Sequence, residues 1–193
     1  METATPSAPS QELVEEFVLA AHANPAKVRA LHTAHPELLN VPWAKFGETA
    51  LQAASHMGRR EVAEYLLAAG APLDICSAAM LGWTDRVASF LAADAGLAQA
   101  RGAHGIPVLY HAALSGDPAI GDLLMAHGGG EGRAAALHGA ILFGHTAMVA
   151  WLLAAGPLDV QIRNFDGKTP LQAAQERDQT AIADLLRQHG ATE

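Results

Sequence analysis

One spacing recurs along the whole chain and restricts its fold more than any other feature. It runs as a leucine-like residue, a small pair within the next four positions, a turn residue seven positions on, and then an apolar stretch. The turn residues are Asn24, Gly58, Gly82, Gly116, Gly144 and Asp178, and seven positions before them stand Phe17, Leu51, Ile75, Leu109, Leu137 and Leu171, with Ile75 the weakest match. A unit this short cannot bury its apolar face alone, so it must stack on its neighbours. The spacing therefore predicts an all-α α-solenoid of about six stacked helix-turn-helix repeats, held by nearest-neighbour contacts.

Length agrees, since 193 residues hold about six units of roughly 33 and leave no room for a second globular domain. The expected organisation is a flexible N-terminal lead over 1–10 and a single repeat domain over 11–193. Its approximate repeats are 11–39, 40–73, 74–98, 99–129, 130–158 and 159–193. Half of the residues are apolar, yet aromatic residues make up only 5%, which describes thin helices packed closely rather than rings filling a globule. Ala20-Ala21, Ala78-Ala79 and Ala112-Ala113 fall where first helices meet, so a phenylalanine at Ala112 should overpack the stack.

The most regular unit is Gly47-Glu48-Thr49-Ala50-Leu51-Gln52-Ala53-Ala54, then Gly58, then the helix from Glu61 through Leu66-Leu67 to Gly70. It returns as Asp166-Gly167-Lys168-Thr169-Pro170-Leu171-Gln172-Ala173-Ala174 and, more weakly, as Ile106 to Ala113 before Gly116. Thr49 and Thr169 suit helix N-caps, Pro170 suits a first helical turn, and glycine suits a helix end. This pattern resembles the ankyrin repeat over roughly residues 11–190. The resemblance implies finger-like connectors that, with the first helices, line a concave groove for a protein partner.

The turn residues are separated by 34, 24, 34, 28 and 34 positions. Long connectors around 40–48, 99–107 and 159–168 thus alternate with short ones at 71–74 and 128–133, and only the long ones have length for a β-hairpin finger. Glycine in the short ones permits either a compact turn or another bend.

A formal charge of −8 with no basic stripe argues against nucleic acid or an anionic membrane as partner. No stretch reaches the ~20 apolar residues of a membrane span. One cysteine, Cys76, and an N-terminus without a signal pattern suggest the cytoplasm. Over residues 40–49, 99–107, 129–134 and 158–169, however, Lys45, Arg101, Arg133, Arg163 and Lys168 outnumber Glu48, Glu131, Asp159 and Asp166, leaving these segments at +1 and the remainder at −9. Trp43, Phe46, His104, Tyr110 and Phe165 lie with those cations, and aromatic and Arg side chains are favoured interface anchors. The candidate protein-binding residues are therefore Trp43, Lys45, Phe46, Arg101, His104, Tyr110, Arg133, Arg163, Phe165 and Lys168. Trp43 and Phe46 can equally fold back as local core.

Ten histidines raise the question of metal, with His32/His35 and His138/His145 at helical spacings. His138 nevertheless occupies the slot of Gln52 and Gln172, where the family resemblance implies a structural histidine bonded to neighbouring finger backbone. No metal and no cofactor is expected. Ser115-Gly116-Asp117 lacks a nucleophile elbow, and Gly130-Glu131-Gly132-Arg133-Ala134-Ala135 follows helical sequence rather than the strand a dinucleotide fingerprint needs. The chain reads as a monomeric, non-catalytic protein-interaction module, an adaptor or inhibitor. The rival readings are a small-ligand or metal-binding sensor or enzyme using the histidine-rich groove, and a self-associating structural solenoid.

Overall fold

The computed structural model describes residues 8–192, so most of the expected N-terminal lead lies outside the described residues. Among the described residues there are twelve α-helices and no strand, and the fold is all-α as expected. The chain divides into two compact units at Leu73/Asp74.

The first unit holds α1 (Gln11–Ala21), α2 (Pro25–Ala34), α3 (Ala50–His56) and α4 (Arg60–Ala68). Each helix starts or ends for a local reason. Ser10 accepts a hydrogen bond from the Leu13 amide at the start of α1, and Asn24 accepts one from the Lys27 amide at the start of α2, ahead of Pro25. Asn24 is thus a cap for the second helix, unlike Gly58, Gly82, Gly116, Gly144 and Asp178, which all take positive φ. α1 pairs with α2 and α3 with α4, while α1 packs on α3 and α2 on α4, giving two layers. Phe17, Leu51, Val62 and Leu66 are buried in this unit, as are the alanine pairs at 20–21 and 53–54. Burying a leucine or phenylalanine contributes roughly 1.5–3 kcal/mol each.

The second unit repeats the scheme with α5 (Ile75–Met80), α6 (Thr84–Ala93), α7 (Val108–Ser115), α8 (Pro118–Ala126), α9 (Arg133–Leu142), α10 (Thr146–Ala154), α11 (Pro170–Gln175) and α12 (Thr180–Gln188). First helices α5, α7, α9 and α11 pack in succession, and second helices α6, α8, α10 and α12 do the same. Ile75, the weakest sequence match, is buried in the same slot as Leu109, Leu137 and Leu171. Ala112 has no exposed surface, so the space for a larger side chain is absent. At Gly116, φ is +78° and a Cβ would stand 2.5 Å from Nδ1 of His145, whose Nε2 donates to the Leu114 carbonyl. Glycine is needed there for both its handedness and its missing side chain.

The connectors divide as their lengths foretell. Residues 40–48 close through an antiparallel bridge between Trp43 and Glu48, and residues 99–107 through one between Arg101 and Pro107. Each is a single bridge, shorter than the hairpin ladder expected. Residues 159–168 close through the Asn164 amide bonded to the Lys168 carbonyl at 3.0 Å. The short connectors are compact turns. The Ala71 amide returns to the Leu66 carbonyl at 3.0 Å, and the Gly129 amide returns to the Leu124 carbonyl at 2.8 Å, each closing a helix end.

Candidate functional site

The second unit holds a cavity of about 410 Å³ between first helices and the connector at 159–168. α7 contributes Tyr110, α9 contributes Ala134, Ala135 and His138, and the connector contributes Ile162 and Phe165. Gly139 of α9 lines it as well. A Cβ there would come within 3.1 Å of the Tyr110 ring and 3.2 Å of Leu114, so glycine lets α9 approach α7. Burial raises the Tyr110 phenol above its ordinary value, keeping the hydroxyl protonated at neutral pH.

The rim is built by local chemistry. Asn164 Oδ1 accepts from the amides of Asp166 at 3.0 Å and Lys168 at 2.9 Å, a side-chain turn that shapes the tip. The Arg163 guanidinium donates to the Gly167 carbonyl of the same tip. Phe165 is thereby held fully exposed. His138 ties the rim to α9, since its Nε2–H donates to the Ile162 carbonyl at 2.9 Å. That is the structural bond to finger backbone that the repeat resemblance implied. Its Nδ1 is buried with no hydrogen-bond partner among the described residues. Burial lowers the pKa of this imidazole, against the opposing effect of the Ile162 bond, and the neutral ring is favoured.

Of the ten residues proposed from sequence, Tyr110, Arg163 and Phe165 line this cavity. Lys168 stands beside them and pairs with Glu176. Arg101 pairs with Glu131 and donates to the Gly105 carbonyl at 2.6 Å, while His104 is exposed at the tip with φ +57°. Arg133 has an internal task instead. Its guanidinium donates to the carbonyls of Leu152 and Gly156 at 2.8 Å and Pro157 at 3.2 Å, closing the end of α10. In the first unit the aromatic pair separates: Trp43 is 8% exposed and Phe46 50%. Their rings meet edge to face at 4.9 Å, with the Lys45 ammonium 5.5 Å from the Trp43 ring and 5.2 Å from the Phe46 ring. Phe46 and Lys45 offer surface, while Trp43 is spent on packing.

The histidine pairs singled out by spacing point to separate partners. His32 Nδ1 is 2.8 Å from the Tyr65 hydroxyl, His35 Nδ1 is 3.3 Å from Glu37, and His138 and His145 each donate to a carbonyl. Cys76 is buried, and burial, with the Asp74 carboxylate adding to it, pushes its thiol up to about 12. The protonated thiol is a poor nucleophile. The glycine-rich stretch at 130–135 follows α8, a helix, which is the wrong setting for a phosphate-binding turn.

Sequence reasoning overlooked Ile162, Asn164 and Arg177 around this cavity. Asn164-Phe165-Asp166-Gly167 is itself a turn signal that would have located the tip.

A model described as ankyrin repeats (3 copies) matches residues 109–192, and one described as ankyrin repeat matches residues 46–78. Together they span more than half of the chain, which belongs to the ankyrin-repeat family. No curated protein matches it. Ankyrin repeats are in general non-enzymatic modules of protein–protein interaction. Among the described residues no helix is long and apolar enough to cross a membrane.

Proposed function

We propose that the protein is an adaptor or inhibitor that seats a segment of a protein partner in the cavity between Tyr110, His138 and the connector at 159–168. The observation that carries this reading is the fully exposed Phe165, held out by the Asn164 turn at the mouth of a cavity of about 410 Å³. An exposed aromatic beside a partly apolar recess is the arrangement that protein interfaces use for anchors. Arg163 adds a cation at the same rim, so a segment carrying an apolar side chain next to a carboxylate fits best. His104 and Arg101 in the second unit, and Phe46 and Lys45 in the first, extend the same chemistry to the other long connectors. No step of catalysis is assigned to any of them.

The test is affinity capture from lysate of the source cell with the native chain and a Phe165→Ala, Arg163→Glu variant, followed by mass spectrometry and titration of the purified candidate. Both substituted side chains are exposed, so the variant is expected to fold. A protein bound by the native chain and about tenfold or more weaker by the variant supports the reading, a loss of at least 1.4 kcal/mol. Equal retention by both places the binding face elsewhere. The same volume lies in the range of small-ligand pockets, so a chain that captures no protein but gains thermal stability with a small ligand would favour the sensor reading.

A further inference from the structure

We propose that His22, Glu48 and His56 form a binding site for a divalent transition-metal ion in the first unit. The repeat itself brings the two histidines together, because they occupy the same slot, 34 positions apart, near the ends of successive first helices α1 and α3. Their ring centroids are 5.1 Å apart at 68°. The connector at 40–48 then delivers the carboxylate, its register set by the Trp43 amide donating to the Glu48 carbonyl at 2.8 Å.

The distances suit a shared ion. His22 Nε2 lies 3.8 Å from Glu48 Oε2, and His56 Nδ1 lies 3.0 Å from Glu48 Oε1. One ligand atom from each residue falls within 4.8 Å of the others. Ligands at about 2.1 Å from a tetrahedral centre stand about 3.4 Å apart, so small side-chain adjustments complete the set. His22 is already oriented for it. Its Nδ1–H donates to the Val18 carbonyl at 2.9 Å, which leaves the Nε2 lone pair facing Glu48, the arrangement in which an outer hydrogen bond fixes a ligating imidazole. Arg59 Nε also donates to the His22 carbonyl at 2.6 Å, holding that turn in place.

Burial makes the site a built one. Glu48 is 1% exposed and His56 is buried, whereas the His22 side chain is partly open and gives an ion access. A dication held by this carboxylate and the two imidazoles would offset the buried negative charge at close range. Two nitrogens and one oxygen select zinc, iron or nickel over calcium and magnesium, which require oxygen ligands. Three protein ligands leave a position for water. A bound ion would join α1, α3 and the connector, making the first unit's stability depend on metal.

The test uses the full chain purified in chelator and titrated with zinc against a chromophoric competitor. The native chain is expected to take up one equivalent, with binding about tenfold or more weaker in His22→Gln and in Glu48→Gln, and unchanged in His32→Gln, His35→Gln. Long-range proton–nitrogen spectra of the native chain read the ligands with no substitution at all. Zinc should shift Nε2 of His22 and Nδ1 of His56. Failure of both nitrogens to respond, or loss of binding in the His32, His35 variant alone, overturns the proposal and leaves a buried structural cluster.

Discussion

The connectors at 40–48 and 159–168 have nearly equal length and similar composition, yet the first buries one of its two aromatic residues while the second leaves its single aromatic residue in solvent. In the first, Trp43 and Glu48 face each other across an antiparallel bridge. Residues opposed in such a pair share a face, so both side chains enter the unit together and both are buried. In the second, Asn164 closes the tip with its own side chain, and Phe165 is left in solvent. An aromatic residue at the bridge, Trp43, therefore becomes core, while those at the tips, Phe46 and Phe165, stay available as contact surface.

The largest effect should separate Trp43 from Phe165. Trp43→Ala is expected to destabilise the first unit by about 3 kcal/mol, in the range for truncating buried aromatic side chains. Phe165→Ala should change stability by no more than about 0.5 kcal/mol, as exposed substitutions do. Chemical denaturation of both variants measures this. A Phe165→Ala loss as large as that of Trp43→Ala would break the contrast.

The two fingers should behave alike where they end. Thr49 and Gln52 form a reciprocal capping box at the start of α3, and Thr169 and Gln172 form the same box at the start of α11. Thr49→Ala and Thr169→Ala should each cost about 1 kcal/mol. Similar shifts in the denaturation midpoint would sharpen the comparison by confining the difference to the fingers themselves. A loss at one threonine only would mean that the exits differ as well.

Much of this was legible in the sequence because helix boundaries and repeat phase rest on local chemistry. Thr-x-x-Gln, Pro170 and the turn glycines each specify a boundary within a few residues, and the alternating connector lengths follow from counting. The candidate site was legible only in part. Phe165 and Arg163 sit at a tip that turn chemistry marks, but nothing local told Trp43 from Phe165, since the inward turn of Trp43 depends on a bridge to Glu48. Arg133 read as a rim cation because the carbonyls it caps lie 19 or more positions away. His22, Glu48 and His56 were overlooked for the same reason. Two belong to successive repeats and the third to a connector, so they meet only in three dimensions.

The slot shared by Gln52, His138 and Gln172 yields the smallest and most specific test. Gln52 and Gln172 turn back to cap their own helices, whereas the residue three positions before His138 is Ala135, which has no hydroxyl to complete such a box. His138 reaches forward to Ile162 instead. Because burial holds its pKa below the ordinary value of 6.5, the unfolded chain binds this proton more readily than the folded chain does. Stability from this group is then fully present above pH 6.5 and declines as pH falls through that value towards the lowered folded pKa. Comparing denaturation midpoints of the native chain and His138→Gln from neutral to mildly acidic pH isolates the contribution. The native chain should lose more stability than the variant over that window. Parallel curves would mean that the ring accepts a proton without cost, and that the groove edge at 159–168 does not depend on a neutral His138.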